Sequence, residues 1–70
     1  MKAPRLRMLR ESRALTQREL ADMAKIDRAT VIRIEQGFEA NPPTVRKLAA
    51  ALGVEPSALL EPSTSQAVRS

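Results

Sequence analysis

Residues that commonly begin helices recur at short intervals in this sequence, at Thr16, Asp27 and Asn41, and each is followed by a short apolar stripe. Gly37 and Gly53 follow two of these stripes and suit a left-handed helix end. The chain has 70 residues, which is the length of one small domain, and its eleven Ala favour helices over strands. The pattern therefore predicts a bundle of short helices.

The apolar spacing predicts five helices. The first covers about residues 5–13, the second is about eight residues long and follows Thr16, and the third covers 28–36. A fourth begins at Pro42 and ends before Gly53, and a fifth covers about 56–61. Residues 62–70 are rich in Ser, Thr and Gln without apolar periodicity, so we expect a domain over 1–61 and a flexible tail over 62–70.

The sequence also predicts specific helix caps and turns. Thr16 and Glu19 have the spacing of a capping box, in which each side chain bonds to the backbone amide of the other residue. Asp27 and Asn41 are expected to cap the third and fourth helices through their side chains. Leu15 and Ile26, in the two connections around the second helix, are expected to be buried.

Composition excludes several classes of function. The chain has no Cys and no His, which excludes disulfides, Cys/His zinc sites and histidine acid–base catalysis, so we expect no enzyme activity, metal or cofactor. It has one Phe and no Tyr or Trp, which argues against a stacking platform for single strands. No signal peptide or membrane-spanning segment is recognisable, so a cytoplasmic location and no membrane partner are expected.

Charge is unevenly distributed along the chain. The formal net charge is +4, and residues 1–33 carry nine Lys or Arg against four Asp or Glu. Residues 34–61 carry two against four. A basic half beside a mildly acidic half indicates one surface that faces a polyanion.

The second and third helices, joined by a turn of about three residues, have the layout of a helix-turn-helix unit. Such a unit places its second helix in the major groove of DNA. Val31 and Ile34 lie on one face of residues 28–36, whereas Ala29, Ile32, Arg33 and Gln36 lie on the other. The guanidinium group of arginine can donate two hydrogen bonds to O6 and N7 of guanine, and Ile32 suits a contact with a thymine methyl group. Free amides and polar side chains at Thr16, Gln17 and Arg18 suit a phosphate.

These segments resemble the Xre/Cro-type repressor family. The resemblance rests on Leu15-Thr-Gln-Arg-Glu-Leu-Ala21, on Asp27-Arg-Ala-Thr-Val-Ile-Arg-Ile-Glu-Gln-Gly37 after Ile26, and on Leu48-Ala…Ala-Leu-Gly-Val54 with Leu59-Leu60. It covers about residues 5–61 and implies an all-α, five-helix, lambda-repressor-like domain that binds double-stranded operator DNA, usually palindromic, as a homodimer.

The residues and the resemblance together assign roles to individual positions. Base contacts are expected from Gln17, Arg28, Ala29, Thr30, Ile32 and Arg33. Phosphate contacts are expected from Thr16, Arg18, Arg13 and Gln36. The resemblance also implies a structural ion pair between Arg10 and Glu35.

The sequence departs from the family pattern at three places. Ala14 and Lys25 occupy turn positions where the family usually has Gly, so either these residues adopt a left-handed conformation or the turns differ. The loop after the third helix, where relatives often carry basic residues, contains Phe38 and Glu39. This loop leaves more of the phosphate binding to Arg5, Arg7, Arg13 and Arg18.

Two questions about partners stay open at the level of sequence. Phe38 either packs under the start of the fourth helix or lies at a subunit interface, and Leu60 is a second candidate for that interface. The alternative function is a protein-interaction module, such as an antitoxin that binds a toxin. The chain could also be the DNA-binding part of a longer regulator.

Overall fold

The structure, a computed structural model, describes residues 1–60, and every element in them is helical. The helices are α1 (Leu6–Ser12), α2 (Gln17–Ala24), α3 (Arg28–Glu35), α4 (Pro42–Leu52) and α5 (Ser57–Leu60). The expected all-α, five-helix fold is confirmed, with helix ends within a residue or so of the expected ones. The expected tail, 62–70, lies outside the described residues.

One small core joins all five helices. Each helix contributes at least one side chain that is 3% exposed or less, and α2 packs against both α3 and α4. The larger members are Leu6, Leu20, Val31, Ile34, Val45, Leu48, Leu52 and Leu59. Leu15 and Ile26 are half-buried and pack against this core from the two connections that flank α2. The position of α2 at the centre of the bundle fixes the relative orientation of α2 and α3.

Both turns that lack the usual glycine keep the left-handed conformation. Ala14 has φ +56° and Lys25 has φ +59°. The Leu15 amide donates to the Arg10 carbonyl at 3.2 Å, and the Ile26 amide donates to the Ala21 carbonyl at 3.0 Å, which closes each helix end. Gly37 and Gly53 also have positive φ, as expected for residues that follow a helix. The first of the two alternatives for the turns is therefore correct.

Replacing Lys25 or Ala14 by glycine is expected to raise the free energy of unfolding by roughly 0.5–1 kcal/mol. The left-handed conformation costs a residue with a side chain about 1–2 kcal/mol, and the added flexibility of the unfolded chain offsets part of the gain. Urea titration measures the change. Lys47→Gly and Ala50→Gly, at exposed positions inside α4, are matched controls and should lower stability by about 0.5–1 kcal/mol. Equal losses in the Lys25 and Lys47 variants would contradict the prediction.

Two of the three expected side-chain caps are wrong. The capping box at Thr16 is present, but the side chains of Asp27 and Asn41 accept no capping hydrogen bond from the described chain. Asn41 has few amides to bind, because Pro42 and Pro43 have no N–H. Asp27 lines a cleft together with Arg18 and Arg28. The first turn of α3 is closed by the backbone carbonyl of Asp27, which accepts a hydrogen bond from the Thr30 amide at 3.0 Å.

The segment before α1 packs against two distant parts of the chain, which the sequence did not indicate. The Ala40 amide donates to the Met1 carbonyl at 2.7 Å, and the Met1 amino group donates to the Ala40 carbonyl at 3.1 Å. The Arg5 amide donates to the Leu59 carbonyl at 3.2 Å, and Ala3 is buried. These contacts connect the loop after α3 to α5.

Candidate nucleic-acid interface

The start of α2 is held rigidly by its capping box. The Glu19 amide donates to Thr16 Oγ1 at 3.0 Å, and the Thr16 amide donates to Glu19 Oε1 at 2.9 Å. The amides of Gln17 and Arg18 have no acceptor within the helix, because the first residues of any α-helix lack one. An anion beside this helix start would meet those two amides and the positive end of the helix dipole.

The turn at Lys25 and the core together orient α3. Val31 and Ile34 are buried against α2 and the rest of the core, so the opposite face of α3 is directed outward. Arg28, Ala29 and Arg33 are exposed on this helix, and Thr30 and Ile32 are half-buried. The small side chain of Ala29 leaves room between the two arginines for another molecule to come close to the helix.

An open cleft of about 510 Å³, here called the α1–α3 cleft, brings several of the expected DNA contacts together. Thr16 and Gln17 line it from the start of α2, and Ile32 and Gln36 line it from α3 and its end. Arg7 of α1 also lines it, although the sequence singled out this residue only as one of several basic ones. Donors from three helices therefore face one concave surface.

Arg10 and Glu35 form a nearly buried ion pair at the base of this cleft. Arg10 Nε donates to Glu35 Oε2 at 2.6 Å, and Arg10 Nη2 donates to Glu35 Oε1 at 3.1 Å. The side chains are 11% and 5% exposed, respectively. Arg10 Nη1 also donates to the Leu15 carbonyl at 2.8 Å, which ties the α1–α2 turn to α3.

Glu35 stabilises the charged form of Arg10. Hydrogen bonding to Glu35 raises the pKa of Arg10 above its ordinary value, and this outweighs the opposing effect of burial. Glu11 of α1 lies beside both arginines, with Oε2 3.2 Å from Arg7 Nε and 3.8 Å from Arg10 Nη2. Glu11 therefore partly neutralises the arginines of α1 in the free protein.

Gln17 is bonded to the same carboxylate, a contact that the sequence gave no signal for. Gln17 Nε2 donates to Glu35 Oε1 at 3.0 Å, and the side chain is only half-buried. The two residues are 18 positions apart and belong to different helices. Their contact depends on how α3 packs against the start of α2, which residue spacing along the sequence does not reveal.

A second cleft of about 460 Å³ lies between α2 and the start of α3. Arg18 and Arg28 line it together with Asp22 and Asp27. The acidic pair lowers the positive potential that the two arginines would otherwise present. Arg18 and Arg28 thus share one site, separate from Thr16 and Gln17, although all four were expected to contact DNA.

The remaining predicted residues lie outside both clefts. Arg13 is exposed after α1, where its Nη1 donates to Ser12 Oγ at 3.1 Å. Phe38 is 58% exposed, so the alternative in which it packs under α4 is wrong. Leu59 is buried and Leu60 is half-buried, as expected for adjacent apolar residues that cannot face the same core.

The outward α3, the capped start of α2 and the left-handed turn between them define a DNA-binding helix-turn-helix protein. The model of the helix-turn-helix family matches residues 6–59. The chain belongs to this family, in its Xre/Cro-like branch, and is a DNA-binding transcription regulator.

Several solved structures are similar to the chain, including the following three. The restriction-modification controller protein C.AhdI from Aeromonas hydrophila is 38% identical, with a TM-score of 0.77 over 80% of this chain and 86% of that one. The hypothetical transcription factor NHTF from Neisseria is 32% identical, with a TM-score of 0.76 over 87% of this chain and 70% of that one. The N-terminal DNA-binding domain of the master biofilm-regulator SinR from Bacillus subtilis is 26% identical, with a TM-score of 0.77 over 90% of this chain and 94% of that one. No curated protein matches the chain.

Within residues 1–60, the helices are too short and too polar for any of them to cross a membrane.

Proposed function

We propose that this protein recognises a specific operator in double-stranded DNA and acts as a repressor or operon controller in the cytoplasm, without catalytic activity. The observation that carries the proposal is the exposed face of α3, where Arg28 and Arg33 flank the small Ala29. This face lies beside a helix start with two free amides. An interaction-only module would not need guanidinium groups and a low surface in this arrangement.

In this proposal, residues 28–36 enter the major groove and the start of α2 contacts the backbone. Base edges are contacted by Gln17, Arg28, Ala29, Thr30, Ile32 and Arg33. Phosphates are contacted by Thr16, Arg18, Arg13 and Gln36. Arg7 joins the phosphate contacts, since it lines the α1–α3 cleft with Thr16 and Gln17.

We also propose that the protein binds a palindromic operator as a homodimer. An apolar groove of about 240 Å³, lined by residues that include Pro42, Pro56 and Leu60, lies on the face formed by α4 and α5. Phe38 is exposed in the loop just before α4. Each of them offers apolar surface to a second copy. A monomer mass that is independent of concentration up to high micromolar would contradict the dimer.

Selection of random duplexes on the purified protein near physiological salt tests the proposed function. Two inverted half-sites about 10 base pairs apart, centre to centre, are expected for a dimer in the major groove. A single half-site would contradict the dimer but support specific recognition. Bulk, salt-sensitive binding without enrichment would contradict the proposal and favour a protein-interaction module, such as an antitoxin that binds a toxin.

Arg33 and Arg18 are expected to contribute to DNA binding in different ways. Arg33→Ala should weaken binding to the selected operator by about 1–3 kcal/mol and relax the preference at one base position, if its guanidinium forks onto guanine. Arg18→Ala should weaken all duplexes about equally and lower the slope of log affinity against log salt by about 1, because it removes one phosphate contact. Titrations of operator and scrambled duplexes at several salt concentrations distinguish the two. Indistinguishable profiles would contradict this assignment.

A further inference from the structure

Gln17 is the only proposed base contact in residues 1–60 whose side chain is already hydrogen-bonded to an ionised side chain. Its Nε2 donates to Glu35 Oε1 at 3.0 Å. Two bonds from Arg10 hold the same carboxylate, and Arg10 is itself fixed to the Leu15 carbonyl. The acceptor of Gln17 is therefore part of a rigid unit that spans α1, the α1–α2 turn and α3.

The charge of Glu35 determines which way the amide of Gln17 faces. An ionised carboxylate only accepts hydrogen bonds, so the nitrogen of the amide faces Glu35 and the oxygen cannot. One N–H of Nε2 is used in this bond, and the second N–H and Oε1 stay available. Because Gln17 is half-buried and lines the α1–α3 cleft, these two groups are the ones it can offer to DNA.

We propose that Glu35 is a positioning residue for DNA recognition: its carboxylate fixes the orientation of the Gln17 amide before DNA arrives. This inference rests on the proposed function, because it explains how one of the proposed base contacts, Gln17, is oriented before binding. A side chain held in its bound orientation loses less conformational entropy on binding, and affinity rises accordingly. Glu35 itself touches no base or phosphate in this scheme.

Glu35→Gln keeps the size of the side chain at position 35 and should reverse the orientation of the Gln17 amide. The oxygen of the new amide keeps the bond from Arg10 Nε, so its NH2 group takes the place of Oε1, faces Gln17 and leaves Arg10 Nη2 without that acceptor. Gln17 then accepts this bond through Oε1 and presents its nitrogen differently to the cleft. We expect operator affinity to fall by about 3–10-fold, the range of one hydrogen bond.

A double-mutant cycle with Gln17→Ala separates positioning from other effects. Loss of a negative charge near DNA favours binding in both backgrounds and cancels in the cycle, as does any general electrostatic term. We expect Glu35→Gln to change the operator Kd less than about 2-fold when residue 17 is Ala, because the contact that it orients is gone. Equal fold-changes in the two backgrounds would overturn the inference and leave the proposed function intact.

Side-chain amide NMR of the free protein gives a second readout. The two Nε2 protons of Gln17 should be well separated in the unsubstituted protein, and the separation should shrink in Glu35→Gln. If that variant lowers the folded fraction, Arg10→Met combined with Glu35→Leu removes the ion pair without an unpaired buried charge and enters the same cycle. If Gln17→Ala leaves operator affinity unchanged, the inference is overturned alone. If the unsubstituted protein prefers no duplex, the proposed function is overturned with it.

Discussion

Arg10→Ala is expected to remove a large part of the stability of the protein. The substitution leaves the Glu35 carboxylate, whose side chain is 5% exposed, without the guanidinium that holds both of its oxygens. Loss of one partner from a nearly buried pair costs about 3–5 kcal/mol, which approaches the total stability of about 3–10 kcal/mol for a domain of this size. The Leu15 carbonyl loses its bond to Arg10 as well. Circular dichroism during urea titration measures the loss.

Two variants control this experiment. Arg7→Ala removes an arginine from the same helix whose partner, Glu11, is exposed, and it should cost less than about 0.5 kcal/mol. Arg10→Met with Glu35→Leu removes both charges, and it should recover much of the stability because no buried charge is left alone. A loss in Arg10→Ala no larger than that in Arg7→Ala would show that the pair contributes little to stability.

Leu20→Ala should lower the free energy of unfolding by about 2–5 kcal/mol, since it leaves a cavity in a core that has few large side chains. Leu20 is 0% exposed and belongs to α2, which packs against both α3 and α4. Loss of packing at this point also frees α3 from its fixed angle to the start of α2, so DNA affinity should fall with stability. Thermal unfolding and operator titration measure the two losses together.

Met23→Ala on the same helix is the matched control for Leu20→Ala. Met23 is 51% exposed, so its truncation removes little buried surface and should change stability by less than about 0.5 kcal/mol. Similar losses at residues 20 and 23 would mean that the described core does not dominate the stability of this fold.

Local signals were sufficient to place the helices and the face of α3 that points outward. The capping box at Thr16 and the glycines after α3 and α4 act within one or two turns, so their effect can be predicted from neighbouring residues alone. The side-chain cap predicted at Asn41 is absent, because Pro42 and Pro43 lack amides that a capping side chain could bind.

Contacts between distant segments could not be predicted from one sequence. Gln17 meets Glu35 across 18 positions, and Met1 meets Ala40 across 39. Each contact depends on how the helices pack against one another, and the spacing of residues along the chain does not reveal that packing. The Arg10–Glu35 pair was expected only through the family resemblance, since nothing local links two charged residues 25 positions apart.

In the proposed function, the length of α3 limits how many base pairs a single copy of this protein can specify. Eight residues span about 12 Å, enough to follow roughly four base pairs along the groove. Four fully specified base pairs carry about 8 bits and recur by chance about once in 256 positions, whereas genomes offer about 10⁶–10⁹ competing sites. Two copies on inverted half-sites would double the bits, and a chance match would then occur about once in 65,000 positions. A regulator that uses so short a helix for base recognition can specify a unique site in a genome only when several such helices bind one stretch of DNA.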